Sequence, residues 1–249
     1  MKIRLDIALT ELGLAKSRTL AQKLIDEGCV IVNEKTVSKA SEKVDIDVDK
    51  ITVSDNPECM KYVGRGGFKL EKAIEEFNIN LNEKCCLDIG ASTGGFTDCM
   101  LKNGAGKVYA VDVGKDQLDV SLRNNPKIIS LEQLDIRNAE NEISDKVDFI
   151  SIDVSFISLK FILPEVMRFS SNNAECVALI KPQFENGKGK NGKNGVIKDS
   201  KIHKRIIEDI ILFSEGLGFN SIKVIPSPIN GGDGNREFLM HFTINKTEG

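Results

Sequence analysis

Residues 84–112 read KCCLDIGASTGGFTDCMLKNGAGKVYAVD, and this stretch decides the fold. Residues 85–89 form a short apolar run of the kind that builds a strand buried on both faces. Gly90, Gly94 and Gly95 then make a glycine-rich turn, and a helical pattern runs from Thr97 through Leu101. A second strand, KVYAVDVG, ends in Asp112, about 20 residues beyond the first glycine. Strand, glycine turn, helix, strand ending in an acid is the Rossmann-type order for a ligand that carries a ribose. The glycines let the backbone approach the ligand, and the carboxylate accepts from ribose hydroxyls. A dinucleotide fingerprint would need G-x-G-x-x-G. The turn here, Gly90-Ala91-Ser92-Thr93-Gly94-Gly95, lacks the second glycine, which argues against a nicotinamide cofactor.

The pattern continues downstream. Strand-like runs recur at 128–131, 147–153, 176–181, 221–225 and 238–244, mostly with helical segments between them. That makes seven strands in alternating α/β order. Only PSPINGGDGNRE separates the last two, so they read as an antiparallel hairpin. Upstream, KLEKAIEEFNI (69–79) is an amphipathic helix with Leu70, Ala73, Ile74 and Phe77 on one face. It follows VGRGGFKL (63–70). This stretch is not a phosphate loop, because Lys69 is followed by Leu70 and no strand leads in. Gly66 and Gly67 are expected to form the turn that sets Lys69 at the helix start, where the dipole disfavours a cation. That conflict marks Lys69 as functional.

Residues 1–54 follow a different plan. Leu5, Ala8, Leu9 and Leu12 share a helical face, and Gly13 is placed to stop that helix. Ser17 reads as the N-cap of a second helix whose apolar face is Leu20, Ala21, Leu24 and Ile25. Arg18 and Gln22 lie together on its other face. CVIVNEKTV reads as a hairpin turning at Asn33-Glu34-Lys35, and DKITV as one more strand. Asp45, Asp47, Asp49, Asp55 and the Asn56-Pro57 pair mark a shift in composition near residues 55–62. Two domains are expected, 1–60 and 61–249.

Composition removes several function classes. The net charge is −3, so a nucleic-acid partner must be met by local basic patches. One such patch is residues 181–205, with eight Lys/Arg (Lys181, Lys188, Lys190, Lys193, Lys198, Lys201, Lys204 and Arg205) against Glu185 and Asp199. No apolar run approaches the roughly 20 residues needed to span a bilayer. The N-terminus carries charges through its first apolar stretch and is not a signal peptide. No CxxC pair occurs and there are two histidines, which argues against a zinc site. The six cysteines, unpaired by any spacing signal, suit a reducing cytoplasm.

Three strand ends carry chemistry. SIDVSFISL places Asp153 at the fourth strand's end, ALIKPQFE places Lys181 at the fifth's, and GGDGNREFL opens the seventh strand with Glu237. Ligands and catalytic groups gather at strand C-termini in open α/β sheets. A lysine after four apolar residues is unusual there, although a lysine reaching to the rim would also explain it. Alone, Glu237 would be a surface residue. Together, Lys69, Asp153, Lys181 and Glu237 can satisfy one another's charge, and such a lysine can steer or accept a hydroxyl proton.

Family likeness sharpens this. GLAKSRTLAQKLIDEGCVIVNEKTV with SKASEKVDIDVDKI closely resembles the S-four-like RNA-binding domain. The resemblance implies RNA contact by Lys16, Ser17, Arg18 and Lys23, with Arg4 beside them; a solvated face is the bland alternative. LDIGASTGGFTD resembles the S-adenosylmethionine loop of methyltransferases. It implies that Asp88, Gly90, Ser92, Thr93, Gly94, Gly95 and Phe96 hold S-adenosylmethionine, that Asp112 takes its ribose, and that Asp135 lies beside the adenine. Asp135 could equally be a loop cap. The Lys-Asp-Lys-Glu set resembles the FtsJ-like ribose 2′-O-methyltransferases. The whole chain, through VGRGGFKL, LDIGASTGGFTD, IDVSFISL, LIKPQFE and GDGNREF, resembles the TlyA family. That family is implied to methylate cytidine ribose in ribosomal RNA of the large subunit, with the small subunit as a further target, acting in the cytoplasm on RNA or ribosomal subunits. RNA contact is then expected of Lys188, Lys190 and Lys193 in the basic loop and of Arg65 through a phosphate. Two rivals stand beside this: a ribosome-binding or assembly module with little catalysis, and a membrane-lysing protein, since relatives often carry a haemolysin label. With no Trp and no basic amphipathic helix, the chain offers little to a membrane.

Overall fold

A computed structural model describes residues 2–26, 28–37, 39–54, 61–187 and 195–245. The chain divides into two compact units, 1–65 and 66–249.

In the first unit, β1 (Lys2–Arg4) leads directly into α1 (Leu5–Glu11), and α2 spans Arg18–Asp26. Leu5, Ala8, Leu9, Ala21, Leu24 and Ile25 are buried between the helices and the strands. Leu12, expected on that face, is exposed because α1 ends at Glu11 and Gly13 takes a left-handed φ of 69°. Ser17 caps α2, its Oγ accepting from Leu20 N at 3.2 Å. β2 (Val30–Val32) and β3 (Lys35–Thr36) form the expected hairpin, and β5 (Ile51–Val53) joins β2 on its other side. The turn is two residues, Asn33 and Glu34, both at positive φ, and Lys35 already belongs to β3. That geometry follows the twist of the strands. β4 (Lys43–Asp45) pairs antiparallel with β1. Neither β1 nor β4 was expected: each has three residues, with one apolar side chain between two charged ones.

The second unit opens with α3 (Gly66–Phe77) and then alternates: β6 (Cys85–Ile89), α4 (Gly95–Lys102), β7 (Lys107–Asp112), α5 (Val120–Arg123), β8 (Ile128–Glu132), β9 (Val147–Ile152), α6 (Leu163–Phe169), β10 (Ser170–Ile180), α7 (Pro182–Glu185), α8 (Ser200–Gly216), β11 (Asn220–Pro226) and β12 (Phe238–Ile244). Its seven strands form one sheet in the order β11-β12-β10-β9-β6-β7-β8. The β10–β9–β6–β7–β8 pairings are parallel, and β12 is antiparallel to both neighbours, as the short β11–β12 link requires. Leu87, Ile89, Tyr109, Ile150, Ile152, Ala178, Ile180, Met240 and Phe242 fill the core against the helices. The chain leaves β6 toward β7 and β8 on one side and returns through β9 toward β10 on the other. The sheet therefore splits its connections between β6 and β9, and a crevice opens at the C-terminal ends of those strands. Among the described residues, no helix is long and apolar enough to cross a membrane.

Candidate active site

The crevice holds two adjoining cavities. The larger, about 340 Å³, has Asp112, Asp135, Gln117 and Ser92 on its polar side and Val113, Leu134, Ile136, Ile157 and Ile162 on its apolar side. The smaller, about 220 Å³, is lined by Gly90 to Thr93, Gly95 and Phe96 of the glycine turn, and by Gly66, Asp153, Ser155 and Lys181. Gly90, Ser92, Asp153 and Ser155 border both.

The glycine turn is shaped by the protein as much as by any ligand. Gly90 has φ 83°, and a Cβ there would stand 2.5 Å from the carbonyl oxygen of Asp153. Gly94 has φ 94°, and its Cβ would strike Leu122 at 2.5 Å and Leu118 at 2.7 Å. Gly94 thus packs against the α5 region and lines neither cavity. Asp112 anchors the turn: its Oδ2 accepts from Ser92 N at 2.8 Å and its Oδ1 from Gly114 N at 2.7 Å. It still borders the larger cavity, with lone pairs left for a diol.

Asp135 is a loop cap, and it also faces the larger cavity. It caps a 3-10 turn at Ile136–Asn138 and pairs with Arg137, whose side-chain hydrogen bonds hold the Asp135 carboxyl below the usual carboxylate range. It also borders the larger cavity beside Leu134 and Ile136. Asp88 departs from its expectation. It is fully buried under the turn, accepts from Thr97 Oγ1 at 2.6 Å and Ser151 Oγ at 2.8 Å, and lines neither cavity. Burial pushes its carboxyl up to about 6 despite those two donors. Asp88 is a strut between β6, α4 and β9.

The four charged residues converge as two ion pairs. Lys69 Nζ lies 2.6 Å from Glu237 Oε2, with both side chains almost wholly buried. Lys181 Nζ lies 2.5 Å from Asp153 Oδ1 and donates to Ser155 Oγ at 2.9 Å. Glu237 feels all three partners. Burial raises its carboxyl most, Lys69 opposes that most strongly, Asp153 adds to it and Lys181 opposes it. At 2% exposure, Glu237 is no surface residue. Lys69 is the fourth residue of α3, since the helix begins at Gly66 rather than after the glycines. The two glycines are helical, and Gly66 lets α3 pass Phe96 closely, a Cβ there falling 3.2 Å from its ring.

Ser155, Phe156 and Glu185 were not anticipated. Phe156 sits at φ 66° and is 91% exposed, at the mouth of the larger cavity, with its ring 5.1 Å from that of Phe184. A bulky residue in that backbone region is strained and persists only where its surroundings hold it. Glu185 supplies part of the hold: it accepts from Ser158 Oγ at 2.5 Å and Leu159 N at 2.8 Å, joining the loop after β9 to the turn after β10. The apolar run FISL immediately after Asp153-Val154-Ser155 was the available signal for Phe156.

The expected RNA-contacting residues fall out unevenly. Lys16, Ser17 and Arg18 are exposed around the start of α2, and Arg4 is half-buried at the end of β1. Arg65 is turned toward its own unit. Its Nε lies 3.7 Å from where a Cβ on Gly28 would stand, and its charge acts on Asp26. Lys188, Lys190 and Lys193 lie outside the described residues.

The larger cavity suits a nucleoside, with an acceptor carboxylate for a ribose diol and an apolar wall for a base. Likeness to known proteins bears on the family. A family model described as FtsJ-like methyltransferase matches residues 62–244, and one described as S4 domain matches residues 3–49. The "16S/23S rRNA (cytidine-2'-O)-methyltransferase TlyA" of Mycobacterium tuberculosis (strain CDC 1551 / Oshkosh) is 40% identical over 240 residues, covering 96% of this chain and 89% of its own. "Hemolysin A" of Brachyspira hyodysenteriae is 43% identical, covering 97% of this chain and 100% of its own. The solved structure "Putative hemolysin from Streptococcus thermophilus" superposes with a TM-score of 0.76 at 40% identity, covering 99% of this chain and 90% of its own. With both domains matched and relatives aligned along nearly their whole lengths, the chain belongs to the TlyA family of FtsJ-like, S-adenosylmethionine-dependent methyltransferases.

Proposed function

We propose that this enzyme methylates the 2′-hydroxyl of a cytidine ribose in ribosomal RNA of the large subunit. The observation that carries the reading is the Lys181–Asp153 pair lining the smaller cavity next to a nucleoside-sized one, with the buried Lys69–Glu237 pair coupled to it through Glu237. Asp112, Asp135 and the Gly90–Phe96 turn hold the cofactor, which when bound supplies a methyl group on a sulfonium. The ribose 2′-hydroxyl would be the acceptor of that methyl group, and its proton has to be taken up by the protein or solvent. Lys181, steadied by Asp153 and Ser155, orients that hydroxyl and receives or relays its proton. Lys69 and Glu237 support the charge of the site from the buried side. Positioning supplies much of the rate, because the methyl donor is already activated.

Residues 1–60 form the RNA-binding domain in this reading and 61–249 the methyltransferase, with Arg4, Lys16, Ser17, Arg18 and Lys23 on the RNA side. Such a substrate places the enzyme in the cytoplasm. The name of the hemolysin relative brings no membrane chemistry to these residues.

The test is methyl transfer from labelled S-adenosylmethionine to purified ribosomal subunits. Lys69→Ala and Lys181→Ala should abolish transfer while cofactor affinity by calorimetry stays within a few-fold. Full transfer by both variants would sink the assignment. Transfer by neither variant nor the unaltered chain, with intact subunit binding, would favour an assembly module instead.

A further inference from the structure

Asp6 is wholly buried, yet its carboxylate gathers four donors from three side chains. Arg4 grips it with Nε on Oδ1 at 2.9 Å and Nη2 on Oδ2 at 3.0 Å. Arg18 Nε reaches Oδ2 at 2.9 Å, and Gln22 Nε2 reaches the same oxygen at 2.9 Å. The Arg4 hydrogen bonds, above all, hold the Asp6 carboxyl far below the usual carboxylate range, against the effect of burial. Two guanidinium groups are thus held side by side on one anion, leaving a net positive cluster.

The orientation matters more than the charge. Each arginine turns its Nε edge inward to Asp6. Among the described residues, no bond is made by Nη1 of Arg4 or by either Nη of Arg18. Those edges belong to side chains that are 35% and 56% exposed. Lys16 and Ser17, adjoining Arg18 in the chain, are exposed as well. A tie between α1 and α2 would need only Gln22 or one arginine on Asp6. Taking both arginines by the same edge makes a preorganised fork, and a planar guanidinium matches phosphate oxygens as a lysine cannot.

The geometry points to Asp6 as the positioning residue that sets Arg4 and Arg18 as one fork for a phosphodiester group of the RNA. This rests on the reading of an RNA substrate given above, and it assigns to a buried acid a part in binding a polyanion.

The test measures binding of the full chain to in vitro transcribed large-subunit ribosomal RNA by filter retention, across a series of salt concentrations. Asp6→Asn should weaken binding about tenfold and flatten the salt dependence by about one phosphate contact. In an Arg4→Gln/Arg18→Gln background the same change should have no further effect. Lys16→Gln should weaken binding equally with or without Asp6. Should Asp6→Asn fail to fold, Arg4→Lys and Arg18→Lys decide: each keeps its charge but loses the Nε contact, and each should weaken binding about fivefold. Wild-type binding by both lysine variants would overturn the inference, as would an Asp6→Asn effect that persists undiminished without the arginines. Absence of binding by the unaltered chain would instead overturn the RNA reading beneath it.

Discussion

Replacing Asp88 by asparagine should change how stability depends on pH, and the size can be worked from the structure. Asp88 is fully buried, and burial lifts its carboxyl from 3.8 to about 6 against the Thr97 and Ser151 hydroxyls. A carboxyl raised in the folded state binds more protons folded than unfolded between those two values. Its contribution to stability is therefore fully present below the unfolded value and is lost as pH rises through about 6. A shift of that size corresponds to about 3 kcal/mol in the acid limit, of which about 2 kcal/mol is gained between pH 7.5 and pH 4.5. The side-chain amide of the Asp88→Asn variant does not titrate, so subtracting the two proteins' urea-unfolding free energies cancels every other group. The wild type should gain about 2 kcal/mol on the variant when pH falls from 7.5 to 4.5. Parallel stability curves for the two proteins over that range would refute the reasoning and return Asp88 to an ordinary ionised carboxylate.

Two further outcomes follow from geometry. Gly90→Ala should destabilise the protein by about 2–4 kcal/mol, because it adds left-handed backbone strain and drives a methyl into the backbone carbonyl of Asp153. Gly94→Ala meets the movable ends of Leu118 and Leu122 instead, so it should cost less, and equal melting temperatures would contradict that ordering. Glu185→Ala should lower stability by about 1–3 kcal/mol by orphaning Leu159 N and Ser158 Oγ. It should also reduce methyl transfer about tenfold with S-adenosylmethionine affinity unchanged, whereas wild-type transfer would show that the two loops need no brace.

The sheet was legible because its inner strands are buried on both faces and read as unbroken apolar runs, which β6 and β9 illustrate. Asp153 and Lys181 were legible for the opposite reason, as charged groups closing apolar runs, whereas Lys69 showed only through its place near a helix start and Glu237 only as a partner for the other three. Other features left no local trace. β1 and β4 are too short to show a period. β10 starts at Ser170 through the polar SSNNAE, which reads as loop because its pairing with β9 slips between Ser170 and Glu175, where Asn173 takes a positive φ. The apolar wall of the larger cavity takes one or two residues from each of several strand ends, so only the topology assembles it. Asp6 looks like any acid in the first turn of a helix, and its partners lie two, twelve and sixteen residues away.

The role of the glycines shows where pattern reading stops short. The turn pattern suggests that Gly90 and Gly94 make room for a ligand, yet each mainly makes room for protein. Gly94 admits the leucines below it, and Gly90 admits the Asp153 carbonyl. The second contact has a functional consequence. Asp153 N donates to Ile89 O at 2.9 Å, and its carbonyl presses on the next residue of the same strand end. The backbone that carries the Lys181 partner is thereby fixed to the backbone that opens the cofactor turn. The proposed cofactor turn and the Lys181–Asp153 ion pair therefore meet at one junction, at the switch between β6 and β9. A displacement of either is a displacement of both. In the proposed methyl transfer, where alignment supplies much of the rate, a shared junction of this kind would keep donor and acceptor groups in register.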